Sequence, residues 1–335
     1  MKLSIISPNI NNGIVLNEFL ISLKEQTNQD FEIILVLNNN NKKTFAIIEE
    51  NLTFFGSRLK FILNNTKRNA QTDIISAFHL IKAKYATIVF PDNELKTNFV
   101  EKLTEELDEN SPDVLEYSPR LTGTVKWKAK NRLLPKYYEN IQNYPEILAY
   151  TYPFIFNKVF SKKIIFNFLK YRPLEVKDSK FCVELTYFLM LSAKSYQYVD
   201  NYFLKEEINT NLWISPLGFI EQFQRVKDYL EVNNIKLLHE IEYAELHFIQ
   251  VILGTILINW KHSIFQKIIK SGEVNAIVIR NEKALNLIKK FLEKKHKEQQ
   301  LFFTTNLYIN KETEESSFLK TIPNRKEWEN IFSKL

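Results

Sequence analysis

Residues 32–37, E-I-I-L-V-L, constrain the fold more than any other stretch of this chain. A strand with one wet face alternates apolar with polar residues, so an unbroken aliphatic run ending at four asparagines reads as a strand covered on both faces. Such a strand needs helices on each side of its sheet, and the flanking signals supply them. Short apolar strands are expected at 3–6, 59–63 and 85–90, with helices at 15–26, 43–52 and 72–82. Strands separated by helices of this length predict an α/β domain with a mostly parallel sheet and right-handed crossovers. Ligands of such sheets lie beyond the carboxyl ends of the strands, here residues 7–11, 38–41 and 91–94.

Glycine narrows the chemistry. The 335 residues contain six, where average usage of about 7% gives about twenty-three. No two are closer than 18 positions, which excludes G-x-G-x-x-G, the G-x-x-x-x-G-K-[ST] phosphate loop and the G-x-S-x-G nucleophile elbow. Cys182 is the single cysteine, so no internal disulfide or Cys-rich zinc site can form, and a reducing compartment is expected. The five histidines fall in neither H-E-x-x-H nor a zinc-deaminase pattern. Residues 1–6 run straight into Ser7-Pro8-Asn9, too short an apolar stretch for a signal peptide. The longest apolar run, 248–260, spans 13 residues and is broken by Gln250, which suits a core helix more than a membrane span of about 20. A cytoplasmic protein is expected.

Beyond residue 100 the pattern loosens. Strands are expected at 113–118, 121–127 and 197–204, loop and helix in the aromatic-rich 137–152, and a helix at 181–194 with Asp178-Ser179 as a candidate N-cap. After Trp213-Ile214-Ser215-Pro216 long helices follow at 219–233, 237–260 and 281–299, placing a boundary near 215 between a domain of 1–215 and a mainly helical region of 216–335. Residues 261–300 hold ten Lys or Arg against four Glu, an excess equal to the chain's whole net charge of +6. Within them Ala284, Leu287, Ile288, Phe291 and Leu292 recur at helical spacing, with Lys289, Lys290, Lys294, Lys295 and Lys297 elsewhere on the turn. This is either a solvated lysine face or a surface for anionic lipid headgroups. A nucleic-acid partner is not expected, because the charge lies on helices outside the α/β core and lacks interleaved aromatics.

The strand ends permit a comparison. S-I-I-S-P-N-I-N-N, then F-L-I-S-L-K-E-Q-T-N-Q-D-F-E-I-I-L-V-L-N-N, then K-A-K-Y-A-T-I-V-F-P-D-N-E-L resemble, in order and spacing, three successive blocks of the family 2 glycosyltransferases with the GT-A fold. The likeness is close over 1–100 and looser over 100–210, where F-I-F-N-K-V-F-S-K-K-I-I and A-K-S-Y-Q-Y-V-D continue it. It implies transfer of a sugar from a nucleotide donor, commonly UDP-linked, to a hydroxyl acceptor with inversion. In that family a divalent metal, Mg²⁺ or Mn²⁺ held by D-x-D, neutralises the diphosphate, and a carboxylate at the start of a later helix takes the acceptor's proton.

Carried over residue by residue, the resemblance puts Pro8, Asn9, Asn11, Asn38 and Asn39 at the nucleotide. The D-x-D positions become Phe90, Pro91 and Asp92, so Asp92 and nearby Glu94 are the expected metal ligands. Phe181 and Cys182 stand where the family has its E-D pair, which leaves Asp178 and Glu184 as the nearest candidate bases. Residue chemistry alone also allows Asp92 as a turn residue after Pro91, Asn38 and Asn39 as loop asparagines, and Asp178 as a helix cap. An inward-facing Glu184 would need a partner. The lost carboxylates motivate a second expectation, a catalytically degenerate relative serving as a binding or scaffold protein. The basic segment suggests a glycolipid or surface-polysaccharide precursor as acceptor, met on the inner face of a cell membrane.

Overall fold

The computed structural model describes all residues other than 39–41, 67, 179, 210, 211, 213 and 261–270. In chain order the elements are β1 (Leu3–Ile10), α1 (Gly13–Lys24), β2 (Phe31–Asn38), α2 (Lys42–Phe55), β3 (Leu59–Asn64), α3 (Ala70–Phe78), β4 (Tyr85–Ile88), β5 (Glu94–Leu95), α4 (Phe99–Asn110), β6 (Val114–Tyr117), β7 (Arg120–Gly123), β8 (Trp127–Lys128) and β9 (Lys136–Tyr138). There follow α5 (Glu146–Tyr150), β10 (Lys158–Ser161), α6 (Lys162–Ile165), α7 (Val183–Leu191), β11 (Tyr196–Val199), β12 (Leu204–Ile208), α8 (Pro216–Val232), α9 (Leu238–Leu246), a π-helical stretch (His247–Leu253), α10 (Gly254–Ile258), α11 (Ser271–Glu298), α12 (Gln300–Thr305), α13 (Glu314–Leu319) and α14 (Arg325–Lys334). The chain forms two compact units. The first comprises Met1–Arg120, Leu133–Tyr144 and Phe154–Glu207; the second comprises Leu121–Arg132, Pro145–Pro153 and Ile208–Leu335.

The first unit is built on a sheet of order β3-β2-β1-β4-β10-β6-β11-β9. Its β3–β2, β2–β1, β1–β4 and β6–β11 pairs are parallel, while β10 and the edge strand β9 run antiparallel to their neighbours. Every residue of β2 is buried, as a doubly covered strand requires. Leu16, Phe19, Leu20 and Leu23 of α1 and Val100, Leu103 and Leu107 of α4 belong to the same core as Leu3, Ile5, Ile33 and Leu35. Glu32 is the exception to an apolar β2. Burial opposes its charge, but Lys60 Nζ and Ser4 Oγ, each at 2.6 Å, and the amides of Lys82 and Ala83 outweigh that and hold its carboxyl below the usual range.

Two local features position the candidate site. β2 and β3 lie to one side of β1 and β4 to the other, so the direction of winding reverses at β1, the place where open α/β sheets leave a crevice. Here β1 also carries a bulge: Ser7 is level with Leu35 and Ile10 with Leu37, one residue more on β1 than on β2. Asn9 absorbs it at φ 57°, a left-handed conformation asparagine tolerates better than most residues.

In the second unit α9, the π-helical stretch and α10 form one continuous helix, Leu238–Ile258, the candidate membrane span by length and composition, and 89% of its most apolar window is buried within the fold. Gly254 is required there, because a Cβ would come within 2.7 Å of Trp328 Cε2, and the Trp328 indole donates to the Gln250 carbonyl at 2.6 Å. Lys295 corrects the expected lysine face of α11. It is buried and pairs with Glu245 at 3.0 Å, continuing the inward stripe of Ala284, Ile288 and Leu292, whereas Lys283, Lys290, Lys294 and Lys297 are exposed.

Candidate active site

The bulge in β1 turns the Asn9 amide toward Asp73, in the first turn of α3. Asp73 Oδ2 accepts from Asn9 N at 3.0 Å and from Asn38 Nδ2 at 2.8 Å, while Asn64 Nδ2 donates to Asp73 Oδ1 at 3.0 Å and to Asn38 Oδ1 at 2.9 Å. One buried carboxylate thus ties together the carboxyl ends of β1, β2 and β3. Burial raises the Asp73 pKa, and the bonds from Asn38, Asn9 and Asn64 oppose but do not cancel that shift. At the same strand end Ser7 Oγ and Asn9 Oδ1 are buried without a hydrogen-bond partner among the described residues. Pro8 lies within the bulge. Asn11 stands apart from this cluster: it is exposed and lines a surface cavity of about 600 Å³ with Asn12, Ile14, Asn17 and Lys43. Asn39 lies outside the described residues.

A second cluster forms beyond β4. Lys180 Nζ donates to Asp92 Oδ1 at 2.8 Å, Glu206 Oε1 at 2.5 Å and the Glu207 carbonyl at 2.7 Å, and lies 5.1 Å from the centroid of the Phe90 ring. Asn93 Nδ2 donates to the other Glu206 oxygen at 2.6 Å. The side chains run from the surface inward: Asp92 is 21% exposed, Lys180 8% and Glu206 0%. Burial works against the Lys180 charge, yet Glu206 and Asp92 outweigh it and hold the ammonium above its ordinary value. Glu206 is pushed up to about 7 by its burial, with Lys180 opposing. Glu94, two residues beyond Asp92, instead pairs with Lys205 across the β5–β12 ladder and is largely exposed.

Asp178 adjoins this cluster through Lys180. Its Oδ1 accepts from the amides of Lys180 (3.1 Å) and Phe181 (2.9 Å), and its Oδ2 from Cys182 (2.7 Å). These bonds cap the entry to α7, where Cys182 adopts φ 53°. Glu184, one turn into α7, finds the partners its burial demands in the Tyr171 hydroxyl and, at 3.1 Å, the Leu174 amide. It ties down the preceding loop. Cys182 is fully buried, and burial together with nearby carboxylates raises its thiol pKa well above the usual value, the opposite of an activated nucleophile.

The residues do not fit a divalent metal at the D-x-D edge. A divalent ion wants several unneutralised oxygens, but Phe90 offers a ring, Glu94 turns to Lys205, and Asp92 already faces a lysine ammonium. No group of three or more His, Cys, Asp or Glu suited to a metal exists among the described residues.

Asn64, Asp73, Lys180 and Glu206 join the expected residues. For Glu206 the signal was present in β12, L-K-E-E-I, where alternation puts it on the buried face between Leu204 and Ile208. The others acquire their roles only through pairing between distant segments.

A mixed α/β sheet reversing at β1, with polar clusters at its strand ends, is the architecture of the GT-A glycosyltransferases. Residues 4–168, just under half of the chain, match the family model described as glycosyl transferase family 2, and that segment reads as a glycosyltransferase domain. Among solved structures it is similar to Staphylococcus aureus TarS 1–349 in complex with UDP-GlcNAc, at 15% identity and TM-score 0.60 over 98% of this chain and 91% of that one. TarS 1–349 in complex with UDP matches at 16% identity and TM-score 0.56, over 98% and 91%. A longer S. aureus TarS structure matches at 16% identity and TM-score 0.56, with 93% of this chain covering 56% of that one. These likenesses establish the fold. No curated protein sequence matches the chain.

Proposed function

We propose that the chain transfers a sugar from a UDP-sugar to an acceptor hydroxyl with inversion, the nucleoside bound at the ends of β1–β3. The observation that carries this reading is the Asp73-centred cluster: Asn9, Asn38 and Asn64 are oriented by one buried carboxylate at the switch point of the sheet. Amides offer both donors and acceptors, the complement of a pyrimidine edge. The UDP-GlcNAc and UDP complexes of TarS support uridine as the base. Asp178 is the base in this reading. It takes the acceptor proton as the hydroxyl oxygen attacks the anomeric carbon opposite the departing diphosphate, and its three amide bonds fix its position. The exposed lysines of α11 favour an acceptor carried on an anionic membrane, such as a lipid-linked or surface-polysaccharide precursor met from the cytoplasmic side.

The test is binding and turnover of a panel of UDP-, GDP-, CMP- and TDP-sugars by the purified chain, with lipid-linked acceptors supplied. A UDP-sugar should bind, release UDP in the presence of acceptor, and bind at least tenfold more weakly to Asn38→Ala, which removes one amide and loosens Asp73. Absence of binding across the panel overturns the reading. Binding without turnover identifies a degenerate, sugar-nucleotide-binding relative.

A further inference from the structure

We propose that the Lys180 ammonium takes the place of a divalent cation at the donor diphosphate, so that this chain binds and cleaves its nucleotide sugar without metal. The inference rests on the donor site proposed above and concerns only how its charge is neutralised.

Three observations carry it. The ammonium lies against both ends of the former metal motif, on the Phe90 face at 5.1 Å and on Asp92 at 2.8 Å. It is anchored from beneath by Glu206, which is fully buried and itself oriented by Asn93. The second carboxylate that could complete a metal site, Glu94, is held on Lys205. A lysine ammonium has three N–H donors, and Asp92, Glu206 and the Glu207 carbonyl use all three. Of its two carboxylate partners Asp92 is the more exposed, 21% against 0% for Glu206, so that is the bond a phosphate oxygen displaces. Glu206 and the carbonyl then keep the charge in place. When the glycosidic C–O bond breaks, its electron pair passes to the diphosphate oxygen, and the ammonium stabilises the charge that develops there.

This arrangement reverses the sign expected at Asp92. As a metal ligand, Asp92 would strengthen diphosphate binding. As a competitor for Lys180 it weakens it, since a carboxylate and a phosphate vie for one donor.

The experiment is equilibrium binding of UDP, GDP, ADP, CDP and TDP, and of the corresponding nucleosides, to the full chain in excess EDTA and in Mn²⁺. For the diphosphate that binds best, the affinity should agree within about twofold between the two conditions. Asp92→Asn should leave it unchanged or tighten it, and Lys180→Met should weaken it at least tenfold without altering nucleoside binding. A tenfold loss in EDTA, a comparable loss in Asp92→Asn, or no effect of Lys180→Met overturns the proposal. Should Lys180→Met not fold, the wild-type EDTA and Mn²⁺ arms decide alone. If no nucleoside or diphosphate binds under either condition, the donor-site reading has failed and the metal question falls with it. Diphosphate binding that appears only with Mn²⁺ removes the metal-free inference and leaves the donor site standing.

Discussion

Asp178 and Glu184 stand six positions apart and are both buried, yet their partners separate them. Glu184 spends its oxygens on Tyr171 and Leu174, fastening a loop, while Asp178 accepts from three successive amides and adjoins Lys180. The cap that Asp178 forms and the base role proposed for it respond differently to substitution. Asparagine keeps one accepting oxygen but faces the remaining amide with an NH2 donor and cannot take a proton, so Asp178→Asn should retain nucleotide binding at a stability cost of about 1–3 kcal/mol while transfer falls by about 10²–10⁴-fold, the usual contribution of a general base. Alanine removes the cap as well and should cost about a further 1 kcal/mol in chemical denaturation. Equal activity of Asp178→Asn and wild type would remove the base assignment. At this scale the sequence was informative where chemistry is local: Pro8, Asn9, Asn38, Asp92 and Asp178 could each be singled out from strand ends and a helix start. Asp73 and Lys180 could not, because neither belongs to a local pattern. Asp73 becomes a hub only when β1, β2 and β3 bring Asn9, Asn38 and Asn64 to it, and Lys180 meets Glu206, 26 positions further along the chain.

The alternating elements of the first unit were legible because a parallel sheet buried on both faces writes itself as aliphatic runs, and β2 is buried throughout as expected. The helix Leu238–Ile258 was legible in extent but not in its π-helical centre, where the Gln250 carbonyl accepts from the Trp328 indole 78 positions away. The packing of that indole is testable at Gly254, where a methyl group would meet it. Gly254→Ala should destabilise the protein by about 1–3 kcal/mol, the range for overpacking a filled core. A denaturant midpoint equal to wild type would show that the indole moves aside freely. The same helix buries His247 beside Arg132 and Glu315, with Nε2 3.5 Å from a Glu315 oxygen. Burial, with the Arg132 charge adding to it, lowers the His247 pKa to about 3, so the ring is neutral in the fold and gains a proton below about 6.5 once unfolded. At this site the unfolded state therefore binds more protons, and the His247 contribution to stability falls as pH drops from about 6.5 toward 3, by up to about 1.4 kcal/mol per pH unit, while Glu206, pushed up to about 7, contributes with the opposite sign because the fold takes up its proton first. Between pH 6.5 and 5 His247→Asn should therefore gain stability relative to wild type as pH falls, since it removes the His247 contribution and leaves that of Glu206. A difference between variant and wild type that does not change with pH would mean that His247 makes no such contribution.

Over the whole molecule the net charge of +6 understates the asymmetry, since residues 261–300 alone carry an equal excess. The fold sorts those charges. Lys295 is withdrawn to Glu245, and Lys283, Lys290, Lys294 and Lys297 are left exposed at spacings of seven, four and three, which places them on one side of α11. Composition could reveal the excess but not this division, because an amphipathic stripe and a buried ion pair draw on the same residue types. If the stripe brings the enzyme to an anionic membrane, its contribution is additive and screened. Each lysine near such a surface contributes about 1 kcal/mol, so losing three of them lowers partitioning by about two orders of magnitude. The combined Lys290→Glu, Lys294→Glu and Lys297→Glu variant should therefore fail to float with phosphatidylglycerol-containing vesicles that carry the wild-type chain. Raising the salt toward 1 M, where the screening length shrinks to about 3 Å, should release the wild type in the same way. Because all three side chains are exposed, their reversal should leave the melting temperature and nucleotide binding intact, which separates loss of membrane attraction from loss of fold. Flotation that survives both the reversals and the salt would assign the stripe to solvation alone and direct the search for the acceptor to soluble hydroxyl compounds.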